Sequence, residues 1–274
     1  MLGAGNFNIT GASGAQQIDL GGVGTNTINA GAGNDTINLS TTGGTQTIVI
    51  NAVDDSTDIN IINATGIGAT YDVNASLGSQ INAAASTRAI TFNGSSEVDV
   101  IISGQGDDFI TGGAENDTIN LSYGGSDTVI FSSTAVGNGA DIIIGFTGGA
   151  GAGKDVLDFS AFLTTRSFDT TVFTASSDTD VDIVNKIVMF DTAGAGLDVA
   201  GLVAEIEGGG NAFVLNGEAV VITGNAGGTG NNALVYFVDT SLDGNASNVS
   251  STDVVLVGTL RSFDLDTLDA GNFF

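Results

Sequence analysis

The sequence predicts an all-β protein, a parallel β-roll or β-helix solenoid followed by a β-sandwich-like C-terminal cap. The first observation behind this prediction is a nine-residue unit that repeats most clearly over residues 103–111 and 112–120. The second is a single large apolar residue at the same place in each unit, here Ile110 and Ile119. The third is a change to longer alternating strands after residue 168.

Each unit follows the template G-G-x-G-x-D-x-U-x, in which U is a large apolar residue, a pattern typical of calcium-binding parallel β-helices. Its first half turns sharply, because glycine reaches positive φ values without steric cost. The x-U-x half forms a very short strand with one inward side chain, such as Ile37, Ile110 or Ile119. Such a strand buries too little surface alone, so neighbouring units must stack to form a continuous core.

The aspartates of the repeat predict a structural calcium ion. Two units form one coil, so Asp99 should lie near Asp117, and Asp108 near Asp127. Stacked strands lie about 4.8 Å apart, and ionised carboxylates at that distance repel each other by about 1 kcal/mol in water. A hard dication with oxygen ligands removes this repulsion. A glycine-rich linker is the alternative, but linkers do not place an apolar residue every nine positions.

Residues 1–93 are predicted to form an N-terminal β-solenoid with degenerate units. In one unit, residues 30–38, the ligand position carries an aspartate as in the template, which predicts a further calcium site with Asp35, Gly31 and Gly33. Other units carry different residues at the aspartate position, namely Phe7, Gln16 and Asn26. Coils without calcium are therefore the alternative here. Whether residues 39–93 continue one solenoid or form a separate β-domain stays open.

Residues 94–167 are predicted to form the calcium-binding roll and its cap. Longer strands at residues 127–131, 141–146 and 154–160 could close the open end of the roll, since a solenoid would otherwise expose its core. Residues 168–274 predict a further β-rich region with one helix at residues 197–207, where apolar residues recur at helical spacing before three glycines.

The composition limits the classes of function. The chain has 274 residues, 31 acidic against five basic, and a formal charge of −26. Such a surface repels nucleic acid and anionic membranes, and no apolar run approaches the length of a membrane span. Histidine and cysteine are both absent, which excludes a zinc protease motif and a Ser-His-Asp triad. We therefore expect no enzymatic activity.

The nine-residue units resemble those of RTX proteins secreted by type I systems. Residues 124–160 look like the cap that follows the β-roll in serralysin-type C-terminal domains, and the acidic and then apolar terminus is similar to type I secretion signals. The resemblance implies that the chain leaves the cell unfolded and folds outside, where calcium is high. It also implies calcium ligands at Asp99, Asp108, Asp117 and Asp127, with carbonyls near Gly104, Gly106, Gly112, Gly113 and Gly124.

Two details depart from known calcium motifs. Glu115 replaces a turn glycine of the nine-residue template, and its carboxylate is itself a candidate ligand. Residues 239–245 resemble the first half of an EF-hand loop. The glutamate expected at the twelfth position of that loop is Ser250, so an acidic hairpin loop is the alternative.

The leading functional hypothesis is a secreted, extracellular structural protein that self-assembles into a surface layer (S-layer) or filament at the cell surface. The expected partners are further copies of the chain, the type I secretion machinery and, as a further candidate, a cell-surface polysaccharide. The alternative is a non-enzymatic adhesin, or a binding or export module of a larger secreted protein. Ice binding is a third candidate, although no regular Thr-x-Thr array runs through the coils.

Overall fold

The structure is a computed structural model. The structure describes residues 7–12, 14–21, 26–31, 35–39, 44–52, 60–64, 69–74, 79–87, 89–163, 167–174, 186–192, 197–208, 217–225, 230–240 and 249–273. This part of the chain is rich in strands and has almost no helix.

Fifteen short strands lie in the first part of the described chain. They are β1 (Asn8–Thr10), β2 (Gln17–Leu20), β3 (Asn26–Gly31), β4 (Thr36–Leu39), β5 (Gly44–Ala52), β6 (Asn60–Ala64), β7 (Ala69–Asn74), β8 (Ser79–Asn82), β9 (Ile90–Asn93), β10 (Val100–Ile102), β11 (Phe109–Thr111), β12 (Thr118–Asn120), β13 (Thr128–Ile130), β14 (Asp141–Ile144) and β15 (Val156–Asp158).

Successive strands alternate between two sheets. Odd-numbered strands form one sheet in the order β1-β3-β5-β7-β9-β11-β13-β15, and even-numbered strands β2 to β14 lie in the other. Every pairing between these strands is parallel, as in Ile101 opposite Ile119 and Ile110 opposite Val129. Strands β5 to β9 join the same two sheets as β10 to β15. Where one domain ends and the next begins stays a prediction.

The core of this stack contains a column of inward apolar side chains, contributed by short strands whose side chains the structure describes. Ile37, Ile110 and Ile119 are fully buried, which confirms their predicted orientation. The residues on either side of them, such as Thr118 and Asn120, are only partly buried. This alternation follows from the two-residue period of a strand, so each turn of the chain adds one apolar residue to each sheet.

The C-terminal strands extend the even-numbered sheet. They are β16 (Ser167–Thr174), β17 (Lys186–Asp191), β18 (Glu218–Gly224), β19 (Ala233–Asp239) and β20 (Val254–Arg261). Strand β20 pairs parallel with β14 and antiparallel with β19, and β18, β17 and β16 follow outward in that order.

The predicted β-sandwich-like arrangement is therefore wrong for the described C-terminal strands, which lie in one sheet. The physical reason is the edge of β14, whose unpaired backbone groups need a partner. Strand β20 supplies them over Asp141–Ile144. The predicted helix is confirmed as α1 (Val199–Gly208), which packs Leu202 and Ile206 against buried residues of β17 to β19.

Aromatic side chains close the end of the stack. The Phe131 and Phe159 rings lie 4.7 Å apart, and Phe162 stacks on Phe237 of β19 at 3.8 Å. The last described residues also dock here, because Phe273 bridges to Leu157 and Asn272 donates to the Asp155 carbonyl at 2.8 Å. The C-terminal region and the end of the stack thus share one core.

Candidate metal centres

A ladder of three buried aspartates runs along one edge of the even-numbered sheet. Asp99, Asp117 and Asp141 each lie immediately before or at the start of a short strand, at the turn. The Asp99 N–H donates to Asp117 Oδ1 at 2.7 Å, and the Asp117 N–H donates to Asp141 Oδ1 at 3.0 Å. Each carboxylate therefore bonds the backbone of the coil before it.

A second ladder follows the odd-numbered sheet through Asp108, Asp127 and Asp155. The Asp108 N–H donates to Asp127 Oδ1 at 2.9 Å, and the Asp127 N–H donates to Asp155 Oδ1 at the same distance. All three side chains are buried. The predicted neighbour pairs, Asp99 with Asp117 and Asp108 with Asp127, are thus confirmed; their role as metal ligands stays a prediction.

Sequence reasoning missed the last member of each ladder. Asp141 lies in Gly-Ala-Asp-Ile-Ile and Asp155 in Gly-Lys-Asp-Val-Leu, so both fit the G-x-D-x-U half of the template. The earlier members are 18 and 19 residues apart, whereas these follow after 24 and 28 residues. The longer intervening loops hide the repeat from a search at fixed period, and the short G-x-D-x-U pattern was the available signal.

The turn glycines bring backbone and carboxylate oxygens close together. A Cβ on Gly112 would lie 2.5 Å from Asp117 Oδ2 and 3.1 Å from Asp141 Oδ2. Gly113 has a φ of +114° and would collide with the Ser95 carbonyl if it carried a side chain. Gly106 presents its carbonyl oxygen to Gly125 of the neighbouring coil. Only glycine fits at positions 112, 113 and 125, because oxygens occupy the space that a side chain would need there.

Two predicted glycines contribute differently. The Gly104 N–H donates to Asp108 Oδ2 at 2.8 Å, so the group that contacts the ladder is its amide. Gly124 lies in the turn after β12 with a φ of +93°, and its N–H donates to the Leu121 carbonyl at 3.3 Å. Gly124 thus shapes the turn, while Gly112 and Gly113 lie against oxygens of other residues and Gly106 places its own carbonyl oxygen against the next coil.

Burial raises the pKa of the ladder carboxyl groups. The pKa of Asp117 rises to about 7, and those of Asp127 and Asp141 to about 8, mainly because burial penalises the charged form and also because neighbouring carboxylates repel it. Burial likewise raises the pKa of Asp108 and Asp155 to about 6. Keeping all these groups ionised at neutral pH therefore costs free energy unless a cation compensates.

The donor atoms fit a calcium ion. Asp117 Oδ2 is buried without a hydrogen-bond partner. Both Asp117 Oδ2 and Asp141 Oδ2 lie close to Gly112. The atoms available as metal ligands are all oxygens, which Ca²⁺ prefers. Within the described residues no three acidic side chains converge on one point. A bound ion would therefore be held by aspartates of adjacent coils together with backbone carbonyls such as that of Gly112.

The N-terminal candidate site is less complete. Asp35 is buried, and its Oδ1 accepts the Gln16 N–H at 2.9 Å. The strand register puts Gln16 and Asn60 at the corresponding positions of the coils before and after it. Gly31 lies at the end of β3, and Gly33 lies outside the described residues. Asp35 therefore lacks the ladder of acids seen further along, and its calcium role stays a prediction.

The EF-hand-like segment is only partly described, since residues 241–248 lie outside the described residues. At the position where an EF-hand has its last glutamate, the Ser250 N–H and hydroxyl donate to Asp253 Oδ2 at 2.8 and 2.9 Å.

No helix in the described part of the chain is long and apolar enough to cross a membrane.

Comparison with known proteins identifies the repeat itself. The sequence model of the RTX calcium-binding nonapeptide repeat matches in four copies, over residues 20–40 and 93–129. These ranges contain Asp35, Asp99, Asp108, Asp117 and Asp127. No curated protein and no solved structure is significantly similar to the chain. The chain is therefore one that carries RTX calcium-binding repeats, a type of repeat found in proteins that are typically secreted.

Proposed function

We propose that this chain is a secreted structural protein that folds outside the cell as a β-roll solenoid on binding calcium and then self-assembles into a surface layer or filament. The observation that carries the proposal is the pair of buried aspartate ladders. Six carboxylates stack along two edges of one core, and their mutual repulsion opposes folding until a cation binds.

Calcium dependence supports export before folding. A formal charge of −26 disfavours a compact state when little calcium is present. Outside the cell, calcium would neutralise the ladders and complete the fold. We propose the type I secretion machinery as the export partner, on the basis of the RTX repeats, and a cell-surface polysaccharide as a candidate anchor. We propose no catalytic role, because the chain has neither histidine nor cysteine.

The two ends of the stack support self-assembly. At one end, strand β14 is covered by β20 and aromatic side chains fill the core. At the other, β1 and β2 are the edge strands of the two sheets within the described residues. An edge strand offers unpaired backbone groups to another chain. A second copy that met these edges with its own β1 and β2 would continue both sheets in a pair of chains.

Light scattering after size exclusion, paired with negative-stain microscopy, tests the proposal. Protein freed of calcium is examined before and after addition of millimolar calcium, with magnesium as the matched ion control. Sheets or filaments that form with calcium and not with magnesium are the expected result. A compact calcium-loaded monomer at high concentration would contradict self-assembly and favour the adhesin or export module.

A further inference from the structure

The aspartate ladder of the odd-numbered sheet ends at Asp155, and the residues that follow β20 cover this end. Residues 263–273 form a cap segment that lies against the β14–β15 loop, residues 145–155. The rings of Phe263 and Phe146 meet edge to face, with 5.5 Å between their centroids. The cap segment is therefore packed against the loop that carries the last aspartate of the ladder.

In the earlier rungs of this ladder, the backbone of each aspartate is bonded to the coil that follows. The Asp108 carbonyl accepts the Thr128 N–H at 2.8 Å, and the Asp127 carbonyl accepts the Val156 N–H at 2.8 Å. The Asp108 and Asp127 N–H groups donate to the carboxylate of the next aspartate in the ladder. The next coil thus satisfies both backbone groups of each of these aspartates.

Asp155 has no following coil in its own sheet, because β15 is the last strand of that sheet within the described residues. Its backbone groups are nevertheless bonded. Its N–H donates to the Thr147 carbonyl at 2.8 Å, and its carbonyl accepts a hydrogen bond from Asn272 Nδ2 at 2.8 Å. The side-chain amide of Asn272 therefore takes the place of the backbone N–H that the next coil supplies at Asp108 and Asp127.

Asn272 also holds the loop around the Asp155 carboxylate. Its side chain is fully buried, and its Oδ1 accepts the Asp269 N–H at 2.9 Å and the Gly149 N–H at 3.0 Å. Gly149 lies two residues after Thr147, whose N–H donates to Asp155 Oδ2 at 2.7 Å. Asn272 therefore holds Asp155 directly at its carbonyl and, through the loop, at its carboxylate.

We propose that Asn272 is a positioning residue for calcium binding at Asp155, and that the cap segment stands in for a further coil at the end of the odd-numbered ladder. The proposal rests on the calcium-dependent folding proposed above. A residue that holds a metal ligand in place typically changes metal affinity by about 10- to 100-fold when it is replaced. Docking of the cap segment and binding of the ion favour each other, because such coupling is reciprocal.

Equilibrium dialysis over a range of calcium concentrations tests the role of Asn272. N272A is compared with the unmodified chain and with N138A, which removes another buried asparagine whose side chain bonds Ser132 and Thr134. N272A is expected to bind one Ca²⁺ roughly tenfold more weakly or worse, while N138A binds as the unmodified chain does. Unchanged calcium binding in N272A would overturn the proposal.

A double-mutant cycle with D155N separates positioning from general stabilisation. If Asn272 acts through Asp155, the double variant N272A/D155N binds calcium as weakly as D155N alone, because the ligand that Asn272 positions is already lost. Losses of affinity that add in the double variant would overturn the proposal and leave Asn272 as a residue that stabilises the fold only.

If N272A does not fold, hydrogen exchange of the unmodified chain decides the question. Adding calcium to chelated protein should protect the amides of the β14–β15 loop and of the cap segment together. Cap-segment amides that exchange equally slowly with and without calcium would overturn the proposal. An unmodified chain that binds no calcium would refute the proposed function as well, whereas normal binding that N272A leaves unchanged refutes this inference alone.

Discussion

The first and last coils of the stack share one architecture but differ at one position per coil. In the last coils, the residue at the start of each strand is an aspartate, as in Asp117 and Asp127. In the earlier coils, with the exception of Asp35, the register puts uncharged residues there, such as Gln16 and Ile90. Both regions nevertheless form parallel strands in the same two sheets. Apolar stacking therefore specifies the architecture, and the acids are the feature that would make it depend on an ion.

Removing calcium should produce the largest difference in stability between the two regions. At a calcium concentration of 100 times Kd, one bound ion stabilises the folded state by about 2.7 kcal/mol. Amides of β10 to β14, which flank the ladders, should therefore exchange roughly 100-fold faster in chelator. Amides of β5 and β7, whose coils carry uncharged residues at this position, should change much less. Hydrogen exchange followed by mass spectrometry measures both rates. Equal acceleration in both regions would show that the two regions do not differ in their dependence on calcium.

Acid should partly replace calcium in the ladders. In the folded state the pKa values of Asp117, Asp127 and Asp141 are about 7, 8 and 8, while in the unfolded chain aspartate has a pKa of about 3.9. Between these values the folded state binds more protons than the unfolded state. The stability of the calcium-free fold should therefore rise as pH falls from about 8 to about 4.

Thermal melts of calcium-free protein at pH 8 and pH 5 measure this change. Repeating them in about 0.5 M salt screens the surface charge and leaves the buried contribution. With saturating calcium the trend should reverse, because protons compete with the ion for the carboxylates. Calcium-free protein that loses stability between pH 8 and pH 5 would show that the ladder carboxylates do not control folding.

The smallest predicted change in stability concerns Glu115, which occupies the place of a turn glycine. Its φ is +67°, a conformation that costs a residue with a Cβ about 1 kcal/mol relative to glycine. E115G should therefore stabilise the protein by about 1 kcal/mol in chelator and also with calcium. Urea unfolding measures the difference. A gain in chelator that disappears with calcium would show instead that the Glu115 carboxylate is a ligand.

The sequence could predict what is local or periodic. The inward side chains of Ile110 and Ile119 and the pairing of Asp99 with Asp117 all follow from a fixed repeat length. Asp141 and Asp155 were missed because longer loops break that period. The pairing of β20 with β14 joins residues more than a hundred positions apart, and no local pattern encodes such a partner choice.

The shortness of the stacked strands has a mechanical consequence. Strands β10 to β13 and β15 have three residues each, and β14 has four. Their hydrogen bonds run along the stacking direction, so tension in that direction loads one coil at a time. A fibre or sheet built from such subunits would lengthen by releasing single coils in turn, and each coil could rebind its ion and close again when the load is removed.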